Sequence, residues 1–141
     1  MKLGTRPDPT ARSGRSSLLP DRSHPERGRV SGFGVKRRAE ARVFQEGPET
    51  CREYFATGKI TVGSSALEPG ETGAVDPGHP QSEEVFFVQR GRVRLRDPAS
   101  DAFVDLDEGD AALIPEGVPH ELTNIGQTPA LVTWSAAPSP A

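Results

Sequence analysis

The run from Gly109 to Asn124, GDAALIPEGVPHELTN, constrains the fold more than any other part of the chain. Its glycines and proline mark turns where the backbone approaches a neighbour closely or takes an unusual φ. Between the turns, residues 111–115 are apolar and predict a buried strand, and residues 120–124 predict another. Turns this close together leave no room for a helix of ordinary length, so the run indicates short β-strands.

The same alternation of short apolar segments and turn residues continues along most of the chain. Glycine and proline are abundant, at 15 and 14 residues, and no segment shows a helical period. The predicted strands cover residues 43–44, 51–58, 59–67, 72–79, 83–89, 92–97, 103–106, 111–115, 120–124 and 130–137. Strands that recur every roughly 8 to 12 residues are typical of a closed or sandwiched all-β fold.

Residues 83–97 predict a β-hairpin that turns at Arg90-Gly91. By period-2 alternation, Val93 and Leu95 should face the core, and three arginines, Arg92, Arg94 and Arg96, should face outward. Such a row of arginines could bind an anion. On an exposed strand it more often keeps the surface soluble and shields a sheet edge, and we favour that interpretation.

The N-terminal segment differs from the rest in charge. Residues 1–43 carry eleven Lys/Arg and four Asp/Glu, a net charge of +7, whereas residues 44–141 carry −10. Because residues 1–38 lack apolar periodicity, we predict a disordered basic extension there, followed by one domain over 39–141. The alternatives are contact with nucleic acid, disfavoured by the scarcity of aromatic residues, and a mis-called translation start with Val30 or Val35 as the true first residue.

Composition excludes several classes of protein. No stretch of about 18 apolar residues is present, so we expect no membrane span. No secretory signal is recognisable, and the single cysteine, Cys51, rules out an internal disulfide, which together favour the cytoplasm. The sequence shows no Ser-His-Asp catalytic motif. It also shows no phosphate-binding loop, which disfavours phosphate and nucleotide chemistry.

Two predicted strands carry polar residues on faces that should be buried. Glu84 shares its face with Phe86 and Val88, and His120 shares its face with Leu122 and Asn124. A lone carboxylate inside an apolar barrel would cost free energy, and a metal ion would compensate it. These two strands therefore predict a metal site in the interior.

The spacing G-x5-P-x-G-x2-H-x3-N between Gly109 and Asn124 resembles the second signature motif of the cupin family. His79, Glu84 and Gly91 match part of the first motif, G-x5-H-x-H-x3,4-E-x6-G, whereas Pro77 occupies its first histidine position. The resemblance covers roughly residues 44–137. It implies a small single-domain cupin with an RmlC-like jelly-roll barrel, also called a double-stranded β-helix.

The resemblance further implies that His79, Glu84 and His120 are metal ligands. It implies one divalent ion, with iron, manganese, nickel, copper and zinc all compatible with this donor set. Asp76 could replace the missing ligand at Pro77, although strand alternation would place it on the other face. The residues that could line the pocket are Gln81, Phe86, Leu122, Asn124 and Trp134, and Gln81 and Glu83 could support the ligands.

The function implied is that of a metal-dependent enzyme acting on a small polar metabolite, as an oxygenase, an isomerase or a decarboxylase/lyase. The alternative is a non-catalytic barrel, a sensor or storage protein that binds a small molecule with or without a metal. We also expect a homodimer, because residues 43–56 contain Val43, Phe44, Tyr54 and Phe55, more apolar surface than a short first strand can bury.

Overall fold

The computed structural model describes residues 27–28 and 32–140. The chain divides into two compact units, Met1–Gly34 and Val35–Ala141. Most of the predicted extension over residues 1–38 lies outside the described residues, and the fold described below is that of the second unit. In the described part of the chain, no helix is long and apolar enough to span a membrane.

The second unit is built almost entirely of β-strands, which confirms the predicted all-β jelly-roll fold. A 3-10 turn, Arg38–Glu40, precedes the first strand. The described residues contain nine strands, which are β1 Arg42–Glu46, β2 Glu49–Ala56, β3 Thr61–Leu67, β4 Glu83–Arg90, β5 Val93–Arg96, β6 Phe103–Leu106, β7 Ala111–Ile114, β8 Glu121–Asn124 and β9 Ala130–Ala137.

The strands form two antiparallel sheets. The larger has the order β1-β2-β3-β9-β4-β7, and the smaller has the order β6-β5-β8. The buried apolar cluster draws on both sheets and comprises Leu67, Phe86, Val88, Val93, Leu106, Ile114, Leu122, Ala130 and Val132. Strand pairing therefore brings distant parts of the chain together around one interior.

The predicted hairpin between residues 83–89 and 92–97 is wrong. β4 pairs with β7 and β9 in the large sheet, whereas β5 pairs with β6 and β8 in the small sheet. Gly91 carries the chain from one sheet to the other with φ of 87°, a left-handed conformation that favours glycine. A hairpin and a crossover between sheets share the same turn residues, so the local sequence does not distinguish them.

Each of the three arginines in and just before β5 is paired with a carboxylate. Arg92 contacts Asp107 at 2.9 Å and Arg94 contacts Asp105 at 2.7 Å. Arg96 contacts both Asp101 and Glu121, at 2.5 Å and 2.9 Å. The Arg94 hydrogen bond holds the pKa of Asp105 below its usual range. Because β5 is the central strand of its sheet, this row does not shield an edge, and its paired charges argue against an anion site.

Candidate functional site

Glu84 places a carboxylate in the apolar interior. Along β4, buried and exposed residues alternate from Glu83 to Gln89, so Glu84 lies on the face of Phe86 and Val88, as predicted. Glu84 is 6% exposed, and its buried Oε1 atom has no hydrogen-bond partner among the residues that the structure describes. A buried acceptor without a partner costs on the order of 1–3 kcal/mol, and more when it is charged. A cation close to this oxygen would offset that cost.

His120, which directly precedes β8 of the small sheet, faces the same point. Its ring packs edge-on against Phe86 with 5.4 Å between centroids, and the residue is 4% exposed. Its Nδ1 lies 2.9 Å from the carbonyl oxygen of Val118 and donates to it, which leaves Nε2 turned toward Glu84 Oε1 at 3.3 Å. A backbone carbonyl bound at one ring nitrogen is the usual way in which the other nitrogen is oriented toward a metal.

Asp76 also reaches this point. Its backbone forms an isolated bridge with His120, with N–O distances of 2.8 Å and 2.9 Å. The amide of Gly78 donates to Asp76 Oδ1 at 2.9 Å, and Oδ2 then lies 3.6 Å from His120 Nε2. Strand alternation predicted the other face for Asp76. The segment around it forms only isolated bridges, so that alternation does not apply there.

Gly78 allows this arrangement. Its φ is 93°, and a Cβ added there would lie 2.8 Å to 2.9 Å from backbone atoms of Gly117 and Val118. Only glycine fits so close a backbone approach. The exposed Pro77 lies between Asp76 and Gly78, at the position that holds the first histidine in the motif.

His79 completes the cluster from its exposed side. Its Nε2 lies 3.5 Å from Asp76 Oδ2 and 3.8 Å from Glu84 Oε1, and its side chain is 26% exposed. The structure therefore brings together all three predicted ligands, His79, Glu84 and His120, and adds Asp76. Glu83, by contrast, is exposed on the opposite face of β4.

The closest donor pairs have a spacing near that of ligands on one metal ion. These pairs lie 3.3 Å to 3.8 Å apart, and nitrogen and oxygen ligands at about 2.1 Å from a common ion are separated by roughly 3–3.5 Å. One donor atom each of Asp76, His79 and Glu84 lies within 4.8 Å of the others, but this group does not include His120, so side chains would have to move for all four to hold the same ion. Two imidazoles and two carboxylates are a donor set that borderline divalent metals accept.

The electrostatics of the cluster also favour a cation. Burial works against a charged His120, but the Glu84 carboxylate 3.3 Å away, the Val118 carbonyl and the charge of Asp76 outweigh it and raise the pKa of His120. The two carboxylates thus stabilise positive charge at the point where the donors converge.

A cavity of 270 Å³ opens beside the cluster. Of the residues predicted to line a pocket, Phe86, Leu122 and Trp134 do so. Gln81 is exposed and does not line this cavity. Asn124 is fully buried and does not line the cavity. Its side-chain amide donates hydrogen bonds to the carbonyls of Leu67 and Thr128, at 3.0 Å and 2.9 Å.

Sequence reasoning missed a second group of cavity residues, on the β1–β2 hairpin. Glu46, Glu49 and Cys51 line the cavity, and one donor atom of each lies within 4.8 Å of those of the others. Glu49 is 7% exposed. Glu46 and Glu49 lie on either side of Gly47-Pro48, and acidic residues beside such turn-forming residues are typical of surface sequence. Only an inward-facing strand pattern at residues 49–51 could have signalled their role.

Cys51 is buried and free. Burial raises the pKa of its thiol to about 11, although a contact with Ser65 Oγ at 3.6 Å partly opposes this. At neutral pH the thiol is almost entirely protonated, and the thiolate is the reactive form. The chain's only cysteine is therefore suited to packing and not to nucleophilic chemistry.

The family of the chain follows from sequence comparison. The model of the family described as Cupin_2, the cupin domain, matches residues 63–136, slightly more than half of the chain. The chain therefore belongs to the cupin family. No curated protein matches it.

Solved structures share the fold. TT1209 from Thermus thermophilus is 26% identical, with a TM-score of 0.61 over 77% of this chain and 100% of that one. A predicted oxalate decarboxylase from Thermotoga maritima is 16% identical, with a TM-score of 0.62 over 74% and 98%. Drosophila melanogaster CENP-C, solved bound to CAL1, is 15% identical, with a TM-score of 0.61 over 71% and 82%.

Proposed function

We propose that this cupin is a metal-dependent enzyme that acts on a small polar molecule held in the cavity beside the metal. The observation that carries the proposal is the buried Glu84 Oε1, which lacks a hydrogen-bond partner and faces the Nε2 atoms of His120 and His79. His79, Glu84 and His120 would hold the ion, and Asp76 would provide a fourth ligand in place of the histidine missing at Pro77.

The cavity supports an enzyme because it borders the ligand cluster directly. When bound, such an ion supplies Lewis-acid polarisation of a substrate oxygen. The chain's own residues position the substrate, since Phe86, Leu122 and Trp134 provide apolar walls and carboxylates provide polar contacts. The structure of a predicted oxalate decarboxylase shares the fold, which is compatible with this class of chemistry in a barrel of this kind.

The proposal predicts about one divalent metal ion per chain. Protein purified without chelator, or reloaded separately with iron, manganese, nickel, copper or zinc, should retain one equivalent after gel filtration, because donor atoms of Asp76, His79 and Glu84 lie close together and His120 lies beside them. Elemental analysis measures this directly, with protein concentration from amino-acid analysis. Wild-type protein that stays below about a tenth of an equivalent with every one of these metals would exclude the proposal.

We further propose that two copies pair through the first strands. β1 forms one edge of the large sheet, and Val43 on it is 52% exposed. Open strand edges readily pair with a second copy. Light scattering at micromolar concentration should give twice the chain mass of 15.1 kDa, whereas a mass at the chain value would show a monomer.

A further inference from the structure

The cavity wall formed by the β1–β2 hairpin carries two carboxylates that have no role in the metal cluster. Glu46 and Glu49 are directly paired in the strand register, and both line the cavity. Glu49 is buried, and Glu46 lies at the exposed edge. An added Cβ at Gly73 would collide with the Glu49 carboxylate, so the glycine leaves room for that side chain.

The charges that line the cavity are strongly unbalanced. Six carboxylates line it, namely Glu46, Glu49, Glu53, Asp76, Glu84 and Glu121, and its described lining contains no Lys or Arg. Arg42 neutralises Glu53 at 3.0 Å, and Arg96 neutralises Glu121 at 2.9 Å. One divalent ion would balance Asp76 and Glu84. Within the described chain, Glu46 and Glu49 are left without an ion-pair partner.

The charges of the metal cluster also act on the two hairpin carboxylates. Desolvation, followed by the negative charges of Asp76 and Glu84, raises the pKa of Glu46. Burial raises the pKa of Glu49, although a hydrogen bond with Ser65 partly opposes it. Negative potential therefore extends across the cavity. Glu84, whose Oε1 has no hydrogen-bond partner among the described residues, lines the same cavity.

We infer that Glu46 and Glu49 form a recognition site for the positively charged amine of a small molecule whose other end lies at the metal cluster. An ammonium group would supply the missing positive charge and donate hydrogen bonds to both carboxylates. The apolar walls provided by Phe44, Phe86 and Trp134 suit a hydrocarbon spacer. Anionic substrates would be repelled from this wall. The position of the far end and the neutralisation of Asp76 and Glu84 rest on the proposed metal-dependent function.

Three probes with the same skeleton test the charge preference: 2-phenylethylamine, 2-phenylethanol and phenylacetate. Trp134 is the only tryptophan of the chain and lines the cavity, so its fluorescence reports occupancy. We expect the amine to bind at least about tenfold more tightly than the alcohol, and phenylacetate to bind more weakly than the amine. A difference below about threefold, tighter binding of phenylacetate, or no detectable binding of the amine at millimolar concentration would overturn the inference.

Charge-neutral variants assign the preference to the hairpin. In the Glu46→Gln, Glu49→Gln double variant, the preference for the amine over the alcohol should fall to within about twofold, whereas Glu83→Gln, on the outer face of β4, should keep the wild-type ratio. Glu46→Gln alone, at an exposed position, should reduce the ratio and serves if the double variant does not fold. A preference that survives in both hairpin variants would overturn the assignment.

Titrations of metal-free and zinc-loaded protein separate this inference from the proposed function. The preference for the amine should persist without zinc, because it arises at the hairpin. Failure to bind any of iron, manganese, nickel, copper and zinc would contradict the metal-dependent function while leaving the amine test intact. A second zinc equivalent that disappears in the double variant would instead show that Glu46, Glu49 and Cys51 hold a metal, and would overturn the amine site.

Discussion

Replacing His120 by alanine is expected to weaken metal binding by at least about 100-fold, because loss of a direct ligand should cost no less than loss of a residue that supports one. His120 Nε2 lies between Glu84 Oε1 and Asp76 Oδ2, at 3.3 Å and 3.6 Å. Its Nδ1 is bound to the Val118 carbonyl, so the ring is held in place before any ion arrives. Isothermal titration calorimetry with zinc measures the change in affinity.

A matched pair of substitutions on β4 provides the control. Glu84→Gln keeps the side-chain shape but removes the inward charge, and it should also weaken zinc binding. Glu83→Gln removes a charge one residue away on the exposed face and should leave zinc affinity within about twofold. Equal zinc affinity in wild type and His120→Ala, with both proteins folded by circular dichroism, would show that the ion binds elsewhere.

Replacing Gly63 by alanine is expected to destabilise the barrel by about 3 kcal/mol, at the upper end of typical overpacking costs. Gly63 lies in β3, opposite Trp134 in β9, and an added Cβ would collide with the Trp134 ring and with the carbonyl oxygen of Arg52. The indole ring could move, but the carbonyl belongs to the paired strand β2 and cannot move without disturbing the sheet. For a domain of this size, the melting temperature should fall by roughly 10 °C.

Gly58→Ala is the control for this substitution. Gly58 is exposed between β2 and β3, and nothing lies within 4 Å of an added Cβ. Its unfolding free energy should change by no more than about 0.5 kcal/mol, as for most surface substitutions. Urea unfolding followed by circular dichroism measures both variants, because Trp134 fluorescence would itself be altered by Gly63→Ala. Equal stability of the two variants would contradict the close packing of β3 on Trp134.

The local sequence determined the features that depend on a short repeat. Period-2 alternation predicted that Glu84 faces inward with Phe86 and Val88, and that His120 does so with Leu122 and Asn124, and both predictions are confirmed. A residue's face in a regular strand depends only on its neighbours along the chain, so the sequence suffices. The spacing of Gly109, Pro115, Gly117, His120 and Asn124 resembles the second cupin motif, and that resemblance implied the jelly-roll barrel that the structure confirms.

Only the tertiary structure decided which segments meet across the interior. Asp76 joins the cluster because its irregular segment bridges to His120, and Glu46 and Glu49 face the cavity because the β1–β2 hairpin folds over it. Gly91 leads into the second sheet and not into a hairpin, although both choices use the same turn residues. These outcomes depend on contacts between residues far apart in the chain. No local sequence pattern specifies which of these distant segments come together.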